Sequence, residues 1–403
     1  MKEAFIVDGT RTPIGNFGGT LSAVRADDLA AHSIQSLMEK YPELPGSAIS
    51  DVILGCANQA GEDNRNVARM SLLLAGLPFS VPGETVNRLC ASGLSAIIHA
   101  SRAIQVGEGD VFIAGGVEQM TRSPWVISKT STPFGRDAEM FDSSFGWRFV
   151  NKKLKDMYGT DAMGETAENL ADMYKIGRED QDAFALNSQL KAAKAAANGR
   201  HAMEISPVSI AQKKGDALVF DKDEFVKSGS TLEGLAKLKP AFRAVGGTVT
   251  AGNASGLNDG AAAVLIASDQ ALKDYGLQPL ARIVSSAVVG VEPGIMGIGP
   301  VEASNLALKR AGIIMNDLDL IELNEAFAAQ SLACIRSWGL ADNDPRINPN
   351  GGAIALGHPL GMSGARIAYS AALELSLTGK RFALVTMCIG VGQGFAAVLE
   401  RVS

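Results

Sequence analysis

A cysteine at the start of a predicted helix is the first residue in the chain that could do covalent chemistry. Cys90 lies in the stretch NRLCASGLSA at residues 87–96, and an apolar-periodic helix follows it to about residue 106. Backbone N–H groups and the positive end of a helix dipole stabilise a thiolate, so we expect the pKa of Cys90 to lie below its usual ~8.5. The alternative is a small buried hydrophobic residue, which is what an isolated cysteine usually is.

A histidine in a glycine-rich loop could serve as the base for this thiol. His358 lies between Gly357 and Pro359 in the loop NPNGGAIALGHPLG at residues 348–361, and a helix is expected to begin near Ser363. These neighbours offer little side chain to bury an imidazole, and a cysteine nucleophile requires a base within hydrogen-bond reach. A structural role in the loop is the alternative.

Two further elements could take part in the same reaction. Cys388 lies on a turn between two strand-like segments, in TMCIGVGQG at residues 386–394, where a second thiol could move a proton. A disulfide between Cys90 and Cys388 is the alternative, which a cytoplasmic compartment disfavours. Asn324 follows a predicted strand; it could cap the next helix, or its amide could hold a water or donate to an oxyanion.

The composition excludes several classes of protein. The 403 residues carry 37 Lys and Arg against 43 Asp and Glu, and no basic run is interleaved with aromatics, so nucleic acid is not an expected partner. Four cysteines and four histidines, without a CxxC or HExxH pattern, offer a metal few ligands, and we expect no metal site. Cys56 and Cys334 lie in apolar runs and are expected in the core.

Two apolar stretches bear on location in the cell. The first nine residues form a strand-like run without the pattern of a signal peptide, and we therefore expect a cytoplasmic protein. Residues 382–399 carry no charge, but Gly390, Gly392 and Gly394 interrupt them. Two short buried strands around a turn fit this stretch better than a membrane span does, and no membrane partner is expected.

Strand-like and helical segments alternate at both ends of the chain, which predicts an α/β protein with a mainly parallel sheet under covering helices. Residues 121–247 differ, because aromatics and methionines are scattered through loops before a charged, alanine-rich helix at 178–198. We therefore predict an N-terminal half of residues 1–120 and 248–278, an inserted loop domain of residues 121–247, and a C-terminal half of residues 279–403. The two halves share one strand-helix pattern, so an internal duplication is plausible.

Taken together and in this order, four stretches resemble the active-site motifs of the thiolases. They are residues 87–96 around Cys90, residues 324–327, residues 351–361 around His358, and Cys388-Ile389-Gly390. The resemblance implies a thiolase fold of two duplicated halves in αβαβα layers with an inserted loop domain, usually as a homodimer or homotetramer. It also implies thiolytic cleavage of a 3-oxoacyl-CoA, or the reverse Claisen condensation, with coenzyme A as a substrate and no external cofactor.

The same resemblance implies a role for each matching residue. Cys90 would accept the acyl group, His358 would activate it, and Cys388 would be the acid and base at the acetyl carbon. Asn324, through a water, would help His358 bind one thioester oxygen. The backbone N–H groups of Cys90 and Gly390 would form a second oxyanion site, because this cleavage develops negative charge on two oxygens at different moments.

The resemblance also implies a binding site for the CoA moiety. Ser255 lies in the loop TAGNASGLNDG at residues 250–260, whose small side chains permit close approach of an extended ligand, and it would contact the pantetheine arm. Lys227 would lie near the adenosine end of CoA.

Three stretches favour one kind of thiolase. Residues 56–70, 146–151 and 296–300 are most similar to the 3-oxoadipyl-CoA thiolases of aromatic-compound breakdown. Biosynthetic acetoacetyl-CoA thiolases typically show a His-Met pair where this chain has Ala162-Met163, which weakens that alternative. Trp147, Arg148 and Tyr158 either line an acyl pocket or pack the loop domain.

Two other classes of protein share this fold. A condensing ketosynthase commonly pairs one cysteine with two histidines, or with histidine and asparagine, so Cys388 argues against it. A lipid-binding protein that kept the fold without catalysis would not need Cys90, His358 and Cys388 together.

Overall fold

This computed structural model describes residues 2–402 of the chain. The largest element in this range is a mixed sheet of ten strands. Its strands run in the order β12-β13-β14-β11-β1-β10-β5-β3-β4, and β2 pairs with β10. Two small hairpins, β6-β7 and β8-β9, lie outside the large sheet. The strands are β1 Ala4–Arg11, β2 Gly15–Asn16, β3 Asp51–Gly55, β4 Gly83–Val86, β5 Val111–Gln119, β6 Trp125–Ile127, β7 Met140–Asp142, β8 Val208–Ile210, β9 Leu218–Phe220, β10 Asn258–Ser268, β11 Ala281–Gly290, β12 Leu320–Leu323, β13 Phe382–Ile389 and β14 Gln393–Arg401.

The predicted mainly parallel sheet is wrong, because most neighbouring strands are antiparallel. Only the pairs β3-β4, β3-β5 and β12-β13 run parallel among the described strands. Strands β5, β10 and β1 are antiparallel neighbours, as are β13, β14 and β11. The strands lack alternation of polar and apolar residues, which suggested a parallel sheet. Helices cover both faces of this sheet, so its antiparallel strands are buried on both sides and lack alternation as well.

The two ends of the sheet repeat one arrangement. At one end the order β4-β3-β5-β10-β1 has parallel outer strands and antiparallel inner ones. At the other end β12, β13, β14 and β11 follow the same directions, and a parallel bridge from Ile321 to Ile347 takes the place of β4. The repeats meet where β1 and β11 pair antiparallel. This repeated topology supports the internal duplication that the sequence suggested.

The helices form three layers around the sheet. Helices α3 and α12 share one apolar core with one face of both repeats, for example with Val264 and Val385. Helices α1 and α2 cover the outer face of the first repeat, and α9 and α10 cover that of the second. The layers are therefore α, β, α, β, α, as predicted. The helices are α1 Ala26–Glu39, α2 Val67–Leu74, α3 Ser92–Val106, α4 Lys152–Tyr158, α5 Met163–Tyr174, α6 Arg178–Ala197, α7 Leu232–Ala236, α8 Asp269–Asp274, α9 Gly299–Ala311, α10 Ala328–Ser337, α11 Ala353–Leu356 and α12 Leu360–Thr378.

Residues 121–247 contain the two hairpins and helices α4 to α7, and a buried ionic cluster attaches them to β1. The guanidinium of Arg11 donates to Glu204 at 3.0 Å and to Asp223 at 2.7 Å, and all three side chains are almost fully buried. A buried charge requires such partners. The bounds of the loop domain and of the two halves stay a prediction. Across residues 2–402, no helix combines the length and the apolar character that crossing a membrane requires.

Candidate active site

Cys90 lies in a short 3₁₀ turn, Leu89–Ala91, immediately before α3. Leu89 has a left-handed backbone with φ +46°. The side chain of Asn87 holds this turn in place, since its Oδ1 accepts the Leu89 N–H at 2.9 Å and its Nδ2 donates to the carbonyl of Ala57 at 3.0 Å. A left-handed leucine costs free energy, so its presence beside Cys90 is typical of a functional turn.

The expected low pKa of the Cys90 thiol is wrong for this fold. Burial raises the pKa of Cys90 to about 11, although the backbone N–H groups of Gly390 and of Cys90 itself act in the opposite direction. Desolvation disfavours the thiolate more than these N–H groups favour it. Cys90 is therefore a protonated thiol at pH 7, and it needs a base before it can act as a nucleophile.

Cys388 and Gly390 lie beside Cys90, at the end of β13. A negative charge on Cys90 raises the pKa of Cys388, and the Gly390 N–H lowers that of Cys90, so the two sulfurs and this N–H share one site. Burial is the main cause of the raised pKa of Cys388, whose side chain packs near Ala326 and Met163. All four cysteines are free thiols, which excludes the alternative of a disulfide between Cys90 and Cys388 in this structure.

Cys56 and Cys334 are core residues, as predicted. Both are buried, in the apolar layers outside the first and the second repeat respectively. A negative charge on Cys334 would also raise the pKa of Cys388, so this core thiol lies close to the second cysteine of the site.

One hydroxyl sets the tautomer of His358. The Nδ1 of His358 lies 2.7 Å from the Oγ of Ser363, and that Oγ donates its hydrogen to the carbonyl of Pro359 at 2.8 Å. Because the hydroxyl hydrogen already bonds to that carbonyl, the Ser363 oxygen accepts a hydrogen bond from Nδ1–H. This assignment leaves a lone pair on Nε2, which is the form of imidazole that can take a proton from a thiol.

His358 is neutral at physiological pH. Its side chain is buried, and the pKa of the imidazole is lowered to about 3 by burial and, to a smaller extent, by the positive charge of Arg366. The backbone of His358 is held as well, since its N–H donates to Oδ1 of Asn258 at 3.0 Å. A neutral, fixed imidazole is available as a base across the physiological pH range.

Asn324 lies at this base and not at a helix cap. The nearest helix, α10, has Phe327 at its N-cap position, which excludes the alternative that Asn324 caps this helix. The Nδ2 of Asn324 lies 3.4 Å from Nε2 of His358, and its Oδ1 is buried without a hydrogen-bond partner. A buried amide oxygen without a partner costs free energy, so it fits a position where a water or a substrate binds.

Glycines bring the Cys90 loop and the His358 loop together. Cys90 precedes α3 and His358 precedes α12, and the first turns of these helices touch. A Cβ on Gly93 would lie 2.6 Å from the carbonyl oxygen of Gly361, which no larger residue permits. The two helix starts therefore lie side by side in the central layer.

Glu118, Asn258 and Ser363 were not found from the sequence, although each fixes a loop of the site. The carboxylate of Glu118 accepts the N–H groups of Ala57, Asn58 and Gly361 at 2.8 to 3.0 Å, which joins the loop after β3 to the loop of His358. Burial raises the pKa of Glu118 to about 7. A glutamate that ends an otherwise apolar strand was the available signal, since buried carboxylates need hydrogen-bond partners.

A line of contacts connects Ser255 with Lys227 through Gly256 and Phe225, and we call these four residues the CoA track. The N–H of Ser255 donates to the carbonyl of Ala326 at 3.0 Å. A Cβ on the next residue, Gly256, would lie 2.6 Å from the ring of Phe225, and Nζ of Lys227 lies 5.0 Å from the centre of that ring. These contacts connect the two predicted CoA-binding residues with each other and with the segment that follows Asn324.

A shallow cleft borders α5, and its volume is about 10 Å³. Its lining includes Trp147, Tyr158, Met163 and Val391, so two of the three residues with an undecided role line this cleft. Arg148 instead donates to Oδ1 of Asn58 at 2.9 Å and to the carbonyl of Ser143, and so packs the loop domain against the loop after β3.

One group of side chains among residues 2–402 has the spacing of metal ligands: Cys56, Asp63 and Glu118. The two carboxylates of this group already accept backbone hydrogen bonds. Asp63 accepts those of Gln59 and Gly61, and Glu118 accepts the three described above. Hydrogen bonding to protein donors explains the cluster without an ion.

Comparisons with known proteins agree with this geometry. The family model "Thiolase, N-terminal domain" matches residues 4–270, and "Thiolase, C-terminal domain" matches residues 277–401. The chain is 60% identical to the 3-oxoadipyl-CoA/3-oxo-5,6-dehydrosuberyl-CoA thiolase of Escherichia coli K12, and 58% identical to a beta-ketoadipyl-CoA thiolase of Acinetobacter baylyi, over the full length of each chain.

A solved structure shows the same fold. The crystal structure of the Bacillus anthracis acetyl-CoA acetyltransferase matches with a TM-score of 0.92 and 40% identity, covering 100% of this chain and 99% of that chain. Because two family models span almost all of the chain and full-length relatives share more than half of its residues, the chain belongs to the thiolase family and is an acyltransferase that cleaves 3-oxoacyl-CoA with coenzyme A as the second substrate.

Proposed function

We propose that this thiolase cleaves 3-oxoadipyl-CoA to acetyl-CoA and a shortened acyl-CoA, through an acyl group held on Cys90. One observation carries the mechanism: the Cys90 thiol shares its site with the Gly390 N–H and the Cys388 thiol, while His358 is neutral with a lone pair on Nε2. The full-length relatives named for 3-oxoadipyl-CoA and beta-ketoadipyl-CoA support the choice of substrate.

The first half-reaction breaks the carbon–carbon bond. His358 takes the proton of Cys90, and the sulfur attacks the C3 carbonyl of the substrate. Because the pKa of Cys90 is raised and that of His358 is lowered, a thiolate–imidazolium pair is disfavoured beforehand, and the proton moves as the attack proceeds. The C2–C3 bond then breaks, its electron pair passes to the acetyl-CoA enolate, and the thiol of Cys388 protonates C2.

The second half-reaction returns the acyl group to coenzyme A. The thiolate left on Cys388 takes the proton of the CoA thiol, which attacks the acyl carbonyl on Cys90. Cys90 leaves as a thiolate and recovers the proton that His358 holds. All three side chains are then in their starting protonation states.

Two sets of donors stabilise the negative charge that develops. The N–H groups of Cys90 and Gly390 bind the oxyanion on the carbon that Cys90 attacks. His358, with a water held by Asn324, binds the oxygen of the enolate, and the unpaired Oδ1 of Asn324 supports the presence of such a water. Removing one donor of this kind typically costs about 10²–10³ in kcat.

The CoA moiety would lie along the track that Ser255 and Lys227 form. Ser255 is next to Ala326, close to Asn324, and would contact the pantetheine arm. Lys227 is exposed at the far end of the track, where its ammonium would face the phosphates or the adenosine. No external cofactor enters the scheme, because the nucleophile is a side chain.

A comparison of three substrates tests the proposed specificity. We expect kcat/KM to be highest for 3-oxoadipyl-CoA, lower for acetoacetyl-CoA, and lower for a medium-chain 3-oxoacyl-CoA. A strong preference for acetoacetyl-CoA would favour the alternative, an acetyl-CoA acetyltransferase running Claisen condensation, and would leave the family intact. Binding of acyl-CoA without turnover of any of the three would favour a non-catalytic lipid-binding protein.

A homodimer or homotetramer is the proposed assembly. Trp125, Ile127, Phe134 and Met140 lie on the β6-β7 hairpin and its loop with most of their apolar surface exposed, which is unusual for a monomer. Light scattering should give two or four times the chain mass of 42.0 kDa. A monomer at micromolar concentration would contradict this. We also propose a cytoplasmic location, which fractionation of cells expressing the protein would test.

A further inference from the structure

Arg366 is a buried arginine without the hydrogen bonds that such a residue requires. It lies on α12 and is 2% exposed. Its Nε and Nη2 are buried and have no hydrogen-bond partner among residues 2–402. Two other buried arginines, Arg11 and Arg200, each donate to two carboxylates. Because a buried charge without such partners destabilises a fold, Arg366 needs an explanation other than stability.

The carboxyl group nearest in effect does not cancel the charge of Arg366. The charge of Glu322 acts on Arg366 more strongly than that of any other residue, yet it leaves Nε and Nη2 unpartnered. Glu322 is buried on β12, and burial raises its pKa to about 8, so it is mainly protonated at pH 7. Burial lowers the pKa of Arg366, but a guanidinium stays charged at physiological pH. The other charges that act on it belong to the ionic cluster of Arg11, Glu204 and Asp223.

The position of Arg366 on α12 connects it with the catalytic base. Ser363, which accepts the hydrogen bond from Nδ1–H of His358, lies three residues before Arg366, and residues three apart share one face of a helix. Leu320 lies two residues before Glu322 on β12 and belongs to the same apolar core as α12, so the side chain of Glu322 faces that helix too. The charge that lowers the pKa of His358 is that of Arg366.

A positive charge at this place affects both stages of the reaction. Before substrate binds, it disfavours the imidazolium form of His358, so the proton stays on Cys90. The charge that acts on Cys90 itself is that of Glu118, which also disfavours the thiolate. After the attack His358 holds the proton, and the same positive charge makes the imidazolium a stronger acid. A stronger acid is a better hydrogen-bond donor to the enolate oxygen and returns its proton to Cys90 more readily.

We infer that Arg366 acts on the reaction through His358, as a buried positive charge that keeps the proton on Cys90 until substrate binds. Arg366 bonds to none of the reacting atoms, so it is a positioning residue. The inference rests on the proposed role of His358 as the base. We also expect an ordered water between Arg366 and Glu322, where it satisfies the unpartnered donors without cancelling the charge.

The variant Arg366→Met tests the inference, because it removes the charge and keeps an unbranched side chain. Without substrate at pH 7, the rate at which iodoacetamide alkylates Cys90 should rise by about tenfold, measured by mass spectrometry of the Cys90 peptide. This is the scale for two unit charges about 10 Å apart at an effective dielectric constant of about 20. The kcat for thiolysis should fall, because the imidazolium becomes a weaker acid.

A second substitution and two controls show whether the charge is responsible. Arg366→Gln also lacks the charge but keeps a polar side chain, so it should give a similar rise, and it replaces the methionine variant if that one folds poorly. Alkylation of Cys334, a core thiol, should stay slow, since a loosened fold would expose it as well. Arg336→Met removes an arginine that pairs with Asp180 and Asp342 at the surface, and it should leave Cys90 alkylation unchanged.

The decisive comparison adds His358→Ala to each protein. If Arg366 acts through His358, Arg366→Met should no longer raise the rate of Cys90 alkylation in this background. A rise that persists without His358, or an unchanged rate in both folded Arg366 variants, overturns the inference and leaves thiolysis in place. A parent protein that cleaves no 3-oxoacyl-CoA overturns the proposed function, whereas the alkylation rates, measured without substrate, still test the action of Arg366 on His358.

Discussion

Replacing Ser363 by alanine tests whether one hydroxyl keeps His358 in the catalytic tautomer. In the parent, Oγ of Ser363 accepts a hydrogen bond from Nδ1–H at 2.7 Å, so Nε2 carries the lone pair. Alanine leaves the buried Nδ1–H without an acceptor, which costs about 1–3 kcal/mol. Without Ser363 as acceptor, the Nδ1–H tautomer loses this stabilisation, and the tautomer with its proton on Nε2 becomes more populated. An Nε2 that already carries a proton cannot take one from Cys90.

The expected result is a fall in kcat/KM that matches this free energy. Because about 1.4 kcal/mol corresponds to a factor of ten, the loss should be about 5- to 150-fold. The fall should appear in kcat with little change in KM, since Ser363 touches His358 and Pro359 and not the CoA track. Steady-state thiolysis of 3-oxoadipyl-CoA, followed by loss of the substrate absorbance, measures both constants.

Two control variants show whether the effect of Ser363→Ala comes from the loss of the acceptor at Nδ1. Ser337→Ala removes a hydroxyl that donates to a helix carbonyl at 2.7 Å far from the site, and it should leave kcat unchanged. Ser363→Thr keeps an acceptor at Nδ1 and should restore much of the activity if its methyl group is tolerated. A Ser363→Ala enzyme with parental kcat and an unaltered pH profile would refute the idea that this hydroxyl sets the tautomer.

The remaining predictions concern the nucleophile and its partners. Cys90→Ser should lower thiolysis by at least about 10³-fold, because an alcohol is a much poorer nucleophile here, and a radiolabelled acyl group trapped on any peptide without Cys90 would contradict its role. In the parent, the rate of Cys90 alkylation by iodoacetamide should rise about tenfold per pH unit from pH 7 to 9, because the raised pKa of about 11 keeps the thiolate a minor species; a plateau in that range would refute the raised value. Asn324→Ala should lower kcat by about 10²-fold if it holds the enolate-binding water, whereas an unchanged kcat would remove it from the mechanism. Lys227→Ala should raise KM for CoA a few-fold at constant kcat, and Lys222→Ala, an exposed neighbour, should leave KM unchanged.

Local signals in the sequence, together with the resemblance to the thiolase motifs, gave the candidate site and much of the fold. Cys90, His358, Cys388 and Asn324 were candidates because they lie in short loops at the ends of strands and helices, and the order of four such motifs along the chain pointed to one common site. Strands and helices such as α3 and β13 followed from apolar periodicity. These features depend on neighbouring residues, and a single sequence contains that information.

The tertiary structure decided what depends on distant parts of the chain. Strand direction was mistaken because helices bury both faces of β10, and burial on both faces is equally compatible with either direction. The pKa of Cys90 rose because desolvation sums over atoms from several loops, and the sequence shows only the helix start that acts against it. The tautomer of His358 and the left-handed backbone of Leu89 likewise require coordinates, since hydrogen-bond partners and backbone angles are set by packing between distant parts of the chain.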